Sequence, residues 1–203
     1  MAGSTTNIVK RSLEDLGAKS KARELGRVVL GILGRWSSES VRLGGVVRGV
    51  MTTNVATCSP GDTLHRAAQL MWDRDCGAVP VVDPTGRPTG ILTDRDLTMA
   101  AYTKGLPLVA IPIGDVVSGR VHSVAPGDSV DEVVALMRGQ RIRRVIVADG
   151  AHKLVGIVAL ADVARYVSGL GPTRRDAALL LADLVATLSE RRPSSGSTER
   201  AAE

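Results

Sequence analysis

Displaced by 66 positions, this chain lies on itself: residues 50–97 superpose on 116–163 without a gap, and 13 of the 48 aligned pairs are identical. Pro60-Gly61-Asp62 falls on Pro126-Gly127-Asp128, and Leu70-Met71 on Leu136-Met137. Val79, Val81 and Asp83 fall on Val145, Val147 and Asp149; Gly90-Ile91 and Asp96 fall on Gly156-Ile157 and Asp162. A unit of this size, used twice, buries its apolar face against its own copy. The fold is thereby confined to a pseudo-symmetric pair.

Each copy reads the same way. A short extended stretch (55–58; 121–124) runs into a Pro-Gly turn, and Asp62 or Asp128 stands where a helix N-cap is expected. Asp131, three residues after Asp128, resembles the far end of a capping box. Apolar residues then recur at i, i+3, i+4 and i+7, as Leu64, Ala67, Ala68, Met71 and Val130, Val133, Val134, Met137, which is one face of a helix. A β-rich run follows (78–82; 145–148), then a turn (83–86; 149–150) and a second strand (90–92; 156–158). A closing helix starts at Asp94 or Leu160. The order β-α-β-β-α, twice over, predicts an α+β fold with repeats at 46–105 and 112–168.

The flanks differ from the repeats. Residues 1–50 hold nine of the 26 lysines and arginines but only four of the 21 acids, so they account for the whole net charge of +5. Residues 1–45 thus read as a basic extension, whose Leu25, Val28, Val29, Ile32, Leu33 and Trp36 share one helical face. Residues 172–192 read as an Ala/Leu-rich C-terminal helix, and 193–203, rich in Ser, Gly, Pro and Glu, as a disordered tail. No apolar run approaches a membrane span of roughly 18 residues. No secretory signal is apparent, and the expected location is the cytoplasm. Aromatics are 2% of the chain, too few for the stacking platforms of single-strand nucleic acid binding. The basic extension offers phosphates only salt-sensitive, non-specific contact.

This duplicated unit resembles a tandem pair of cystathionine-β-synthase (CBS) domains, the Bateman module. The resemblance rests on Val50-Met51-Thr52, Pro60-Gly61-Asp62-Thr63-Leu64, Gly77-Ala78-Val79-Pro80-Val81-Val82-Asp83 and Gly90-Ile91-Leu92-Thr93-Asp94-Arg95-Asp96-Leu97. It is similar in particular to small stand-alone bacterial CBS pairs of the hypoxic or stress-response type. The resemblance implies a non-catalytic regulatory module that binds AMP, ADP, ATP or S-adenosylmethionine in the cleft between its repeats and forms a homodimeric disk. By resemblance, Thr93 and Asp96 match the phosphate and ribose pair, with Arg95 beside them. Thr57, Cys58, Ala78, Val79 and Pro80 match the positions that line the base pocket.

The residues themselves support part of this. A strand ending at Thr93 and entering a helix directs backbone N–H groups outward, a setting that suits an anion. Asp96, one turn on, can accept from ribose hydroxyls. The plainer reading stands beside it: Thr93 caps the helix, and Asp96 is a first-turn acid favoured by the dipole. The second repeat keeps Asp162 but has Ala159 where the first has Thr93, so the two sites are expected to be unequal. It also supplies Arg141, Arg143 and Arg144, which strand alternation sorts as Arg141 and Arg143 on one side and Arg144 on the other. They reach a phosphate in the cleft or form a solvated rim.

Other functions find less purchase. No P-loop, Gly-x-Ser-x-Gly, His-Glu-x-x-His or paired acid/base constellation is present. His65, His122, His152, Cys58 and Cys76 do not have zinc-ligand spacing. The alternatives to a sensor are an interaction scaffold or a metal- or redox-responsive stress protein with vestigial clefts. The apolar stripe of the N-terminal helix is expected to pack on its own module or on a dimer partner, with docking of an effector protein as the other reading.

Overall fold

The computed structural model describes residues 41–117 and 120–190. The expected helix within 25–36 and the tail at 193–203 lie outside the described residues. In chain order the elements are α1 (Leu64–Asp73), β1 (Ala78–Val82), β2 (Pro88–Thr93) and α2 (Asp94–Lys104). The second repeat supplies β3 (Ser123–Val124), α3 (Val130–Gln140), β4 (Arg144–Ala148), β5 (Leu154–Ala159) and α4 (Leu160–Gly169). A last helix, α5, spans Arg175–Ser189. β1 and β2 pair antiparallel, as do β4 and β5, while β3 joins β4 in parallel. Among the described residues no helix is long and apolar enough to cross a membrane.

The helix starts differ from expectation by one residue. Thr63, not Asp62, caps α1, and Ser129, not Asp128, caps α3. The two aspartates close the turn just before: the Asp62 carboxylate accepts from Ser59 N and that of Asp128 from Ala125 N, each at 2.7 Å. The capping box at α3 joins Ser129 to Glu132, whose Oε2 accepts Ser129 N at 2.8 Å. The leading strands are also shorter than expected. Cys58 makes a single parallel bridge to Val81, and β3 is two residues long. In each repeat a proline two residues further on has no N–H to extend the ladder.

The backbone repeats as the sequence does. Asp75 and Arg141, which follow α1 and α3, both take positive φ (47° and 52°), as do Gly105 and Gly171 beyond α2 and α4. The predicted faces are the buried ones: Leu64, Ala67 and Met71 on α1; Val130, Val133, Val134 and Met137 on α3. They pack beneath Val79, Val81 and Leu92 in the first repeat, and with Val145, Val147 and Val158 in the second.

Each repeat is completed by chain that precedes the other. Val47 N donates to Asp128 O and Arg48 N to Pro126 O, both at 2.9 Å, while Thr52 and Ile157 exchange two backbone bonds. Sixty-six residues on, Ile113 N donates to Asp62 O at 2.8 Å and Gly114 N to Pro60 O at 2.9 Å. Asp131 receives Leu43 N at 2.8 Å. The leader approaches so closely that a Cβ at Gly156 would sit 2.9 Å from the Thr52 carbonyl oxygen.

The repeats part company at α5. It buries Ala177, Leu180 and Leu184 and packs on α3 and α4, with Asp183 paired to Arg138 at 2.7 Å. Residue 138 corresponds to Trp72 of the first repeat, which is 87% exposed; on α2 Tyr102 is 81% exposed. Among the described residues the first repeat has, in place of a covering helix, only the short turn Leu108–Ala110 packed on α1.

Candidate functional site

The C-terminal end of β2 and the first turn of α2 face the chain leading into β3 and the junction of α3 with β4. Between them lies a cleft of about 870 Å³. Ile91, Thr93, Arg95 and Asp96 line it from the first repeat, and Arg120, His122 and residues 141–144 from the second. Leu188 and Glu190, at the end of α5, complete the wall.

Thr93 and Asp96 hold one another. Asp96 Oδ2 accepts from Thr93 N at 2.8 Å and from Thr93 Oγ1 at 2.6 Å, and Asp96 N donates back to Thr93 Oγ1. The hydroxyl proton is therefore spent on the capping box, and Thr93 acts on the cleft by aiming Asp96. The carboxylate's bonds run through Oδ2; Oδ1 makes none among the described residues, and Asp96 is one of the residues that line the cleft. The expectation of free backbone donors is not met. Asp94 N bonds Gly77 O, and Arg95 N bonds the Asp94 carboxylate at 2.7 Å. The positive charge of the cleft comes instead from side chains.

Five arginines supply it: Arg95, Arg120, Arg141, Arg143 and Arg144. Strand alternation would have placed Arg141 and Arg143 opposite Arg144. It does not apply, because β4 begins only at Arg144 and Arg141 ends α3 in the left-handed conformation. All three reach the same cleft. Facing them are two acids, Asp96 and Glu190. Arg120 is not among the residues expected at the site, and His122 enters the expectations only as a metal candidate. Their spacing of two in an extended segment, which places both on one side, was the available signal.

The remaining expected residues lie outside this lining. Cys58, Val79 and Pro80 are buried, Cys58 and Val79 in the core of the first repeat. Thr57 is exposed and Ala78 half-buried. Burial pushes the Cys58 thiol up to about 11, with the nearby Asp62 charge adding to the effect. Asp162 is 6% exposed, caps Ala159 N at 2.7 Å through Oδ2, and pairs through Oδ1 with Arg165. The residue equivalent to Arg165 in the first repeat is Met99. The two aspartates thus differ in the state of Oδ1, not only in the neighbouring Thr93 or Ala159.

The difference extends across the pseudo-symmetric position. The counterparts of Arg120, His122, Arg141, Arg143 and Arg144 are Asn54, Ala56, Asp75, Gly77 and Ala78, and that of Arg95 is Ala161. The basic lining belongs to one cleft. No group of three or more His, Cys, Asp or Glu side chains is placed to hold a metal ion among the described residues.

Comparison with known proteins gives the same architecture. The family model of the CBS domain matches residues 47–102 and again 113–169. The CBS domain-containing protein YhcV of Bacillus subtilis is 41% identical over 118 residues, 58% of this chain and 82% of that protein. Hypoxic response protein 1 of Mycobacterium tuberculosis is 34% identical over 120 residues, 59% of this chain and 83% of that protein. Its crystal structure, with two coordinated zinc ions, superposes with a TM-score of 0.55 at 33% identity, covering 60% of this chain and 98% of the other. CBSX2 in complex with AMP shares the fold at 22% identity and a TM-score of 0.55, over 63% of this chain and 98% of its own. With the family model matched twice across the duplicated unit, the chain belongs to the CBS-domain family as a tandem pair.

Proposed function

We propose that this chain is a non-catalytic sensor that binds a phosphorylated adenine nucleotide in the one basic cleft between its repeats. The observation that carries this reading is the pairing, across a single cavity, of an open Asp96 carboxylate oxygen with five arginines. A carboxylate accepts from ribose hydroxyls, and guanidinium groups take phosphate oxygens as paired donors. The half of the lining that carries Asp96 belongs to the first repeat, and most of the arginines belong to the second. A ligand held by both favours one placement of the repeats over others, and only such differential affinity converts binding into a signal. The fold is seen in complex with AMP in CBSX2.

Titration calorimetry with AMP, ADP, ATP and S-adenosylmethionine tests the reading. Binding is expected with one equivalent per chain, stronger for the phosphorylated ligands and weakened by salt. The double variant Arg143→Ala, Arg144→Ala should lose at least about tenfold in affinity, as expected for charge-assisted hydrogen bonds of roughly 1.5–3 kcal/mol each. A parent chain that binds none of the four overturns it and moves the interaction scaffold ahead.

A further inference from the structure

The phosphate end of the cleft already holds an anion of the chain's own. Arg141 Nη2 pairs with Glu190 Oε2 at 2.8 Å, and Arg143 Nη2 donates to the Leu188 carbonyl oxygen at 3.4 Å. All four residues line the cleft. A helix C-terminus with a carboxylate just beyond it thus offers two arginines what a phosphate group would offer: negative charge and oxygen acceptors.

We propose that the end of α5 is a built-in competitor for the ligand's phosphate, and that binding displaces it. This rests on the reading that the cleft takes a phosphorylated ligand. The contact is suited to exchange. The side chains of Arg141 and Glu190 are 40% and 62% exposed, a setting in which an ion pair contributes little. A phosphate dianion carries more charge than one carboxylate and accepts from both guanidinium groups at once. The displacement is confined to the last turn, because upstream Leu180 and Leu184 are buried and Asp183 is paired with Arg138. Ligand binding in the cleft is thereby converted into release of a helix end on the surface of the second repeat. The first repeat has no equivalent among the described residues, since the turn that packs on α1, Leu108–Ala110, is three residues long and carries no acid.

The test uses the full chain and Glu190→Gln, which keeps the size of the side chain and removes its charge. Affinity is measured by calorimetry for ATP and for tripolyphosphate, which has the phosphates without the nucleoside. Glu190→Gln should bind both about threefold more tightly, the size of an exposed ion pair removed from competition. Amide hydrogen exchange at residues 186–190 should quicken when ATP is added to the parent, and should already be fast in Glu190→Gln without ligand. Equal or weaker binding by Glu190→Gln, or exchange at 186–190 that slows on ATP addition, overturns the displacement while leaving the nucleotide reading intact. Tighter binding of tripolyphosphate by the variant, with no binding of nucleotide by either chain, sinks the nucleotide reading and keeps the displacement. Binding of neither probe sinks both.

Discussion

Asp96 and Asp162 occupy equivalent positions but are bonded differently: Asp96 accepts from the Thr93 hydroxyl, whereas Asp162 has no such donor and pairs with Arg165. Asp96→Ala should weaken ATP binding by at least about tenfold, or 1.4 kcal/mol. Asp162→Ala should leave affinity within about twofold but lower stability by about 1–2 kcal/mol, because it removes a helix cap and leaves Arg165 unpaired. Calorimetry and urea unfolding on the same two variants separate these effects. Met99→Arg sharpens the comparison by placing a guanidinium three residues from Asp96, as Arg165 stands to Asp162. It should occupy Oδ1 and weaken ATP binding without loss of stability. Cys58 makes a different prediction. Its folded pKa of about 11 lies above the usual thiol value of 9.0, so above pH 9 the unfolded chain sheds a proton that the folded chain keeps. Stability should therefore fall as pH rises from 9 to about 11, and Cys58→Ala should flatten that limb of a thermal-melt pH series. At this scale charge and repetition led to Asp96, Arg143 and Arg144, which do line one cleft, but not to the side that Arg144 shares with Arg143. The sequence was not legible where two neighbouring residues compete for one job. Asp62 and Thr63 both suit an N-cap, and only the path of the preceding turn decides that Asp62 faces back to Ser59 N.

At the scale of elements, periodicity located the starts of the four repeat helices to within a residue, because one buried face fixes the phase, whereas the last helix is Arg175–Ser189 and not 172–192. The short leading strands were over-read, since an apolar run gives no sign of how many ladder bonds a partner will offer. The covering role of α5 could not be read at all. An amphipathic helix declares that it has a buried face, not which surface meets it. Its place here follows from Arg138 standing where the first repeat has Trp72, which lets α5 dock through Asp183. Deleting residues 173–203 should uncover the apolar faces of α3 and α4. Increased dye binding and self-association in sedimentation velocity are the expected outcome. The leader is as exacting. Gly156→Ala would place a methyl group 2.9 Å from the Thr52 carbonyl oxygen, a backbone atom with little room to yield. A loss of about 1–3 kcal/mol in urea unfolding is expected, as for overpacking elsewhere.

For the whole molecule, the asymmetry at α5 bears on assembly. A disk built from all four repeat helices of each chain is expected from the resemblance, yet α5 lies on the face of α3 and α4. α1 and α2 expose Trp72, Tyr102 and Met99, and these are the groups a second copy is expected to bury. The expectation is a dimer of two 21.3 kDa chains that Trp72→Glu converts to monomer, as read by light scattering. The exchange of leaders has a further consequence, in time rather than in space. As the chain leaves the ribosome, residues 43–52 have no partner until the turn at 126–131 has been made, about 80 residues later, and contacts of such separation slow folding. The first repeat in turn stays open until 111–114 emerge to close it. The first repeat can therefore close before the second is made, while the segment that completes the second has to wait, unpaired, for the whole of that interval. The two copies of one unit thus mature in a fixed order, and the later one depends on chain made before either.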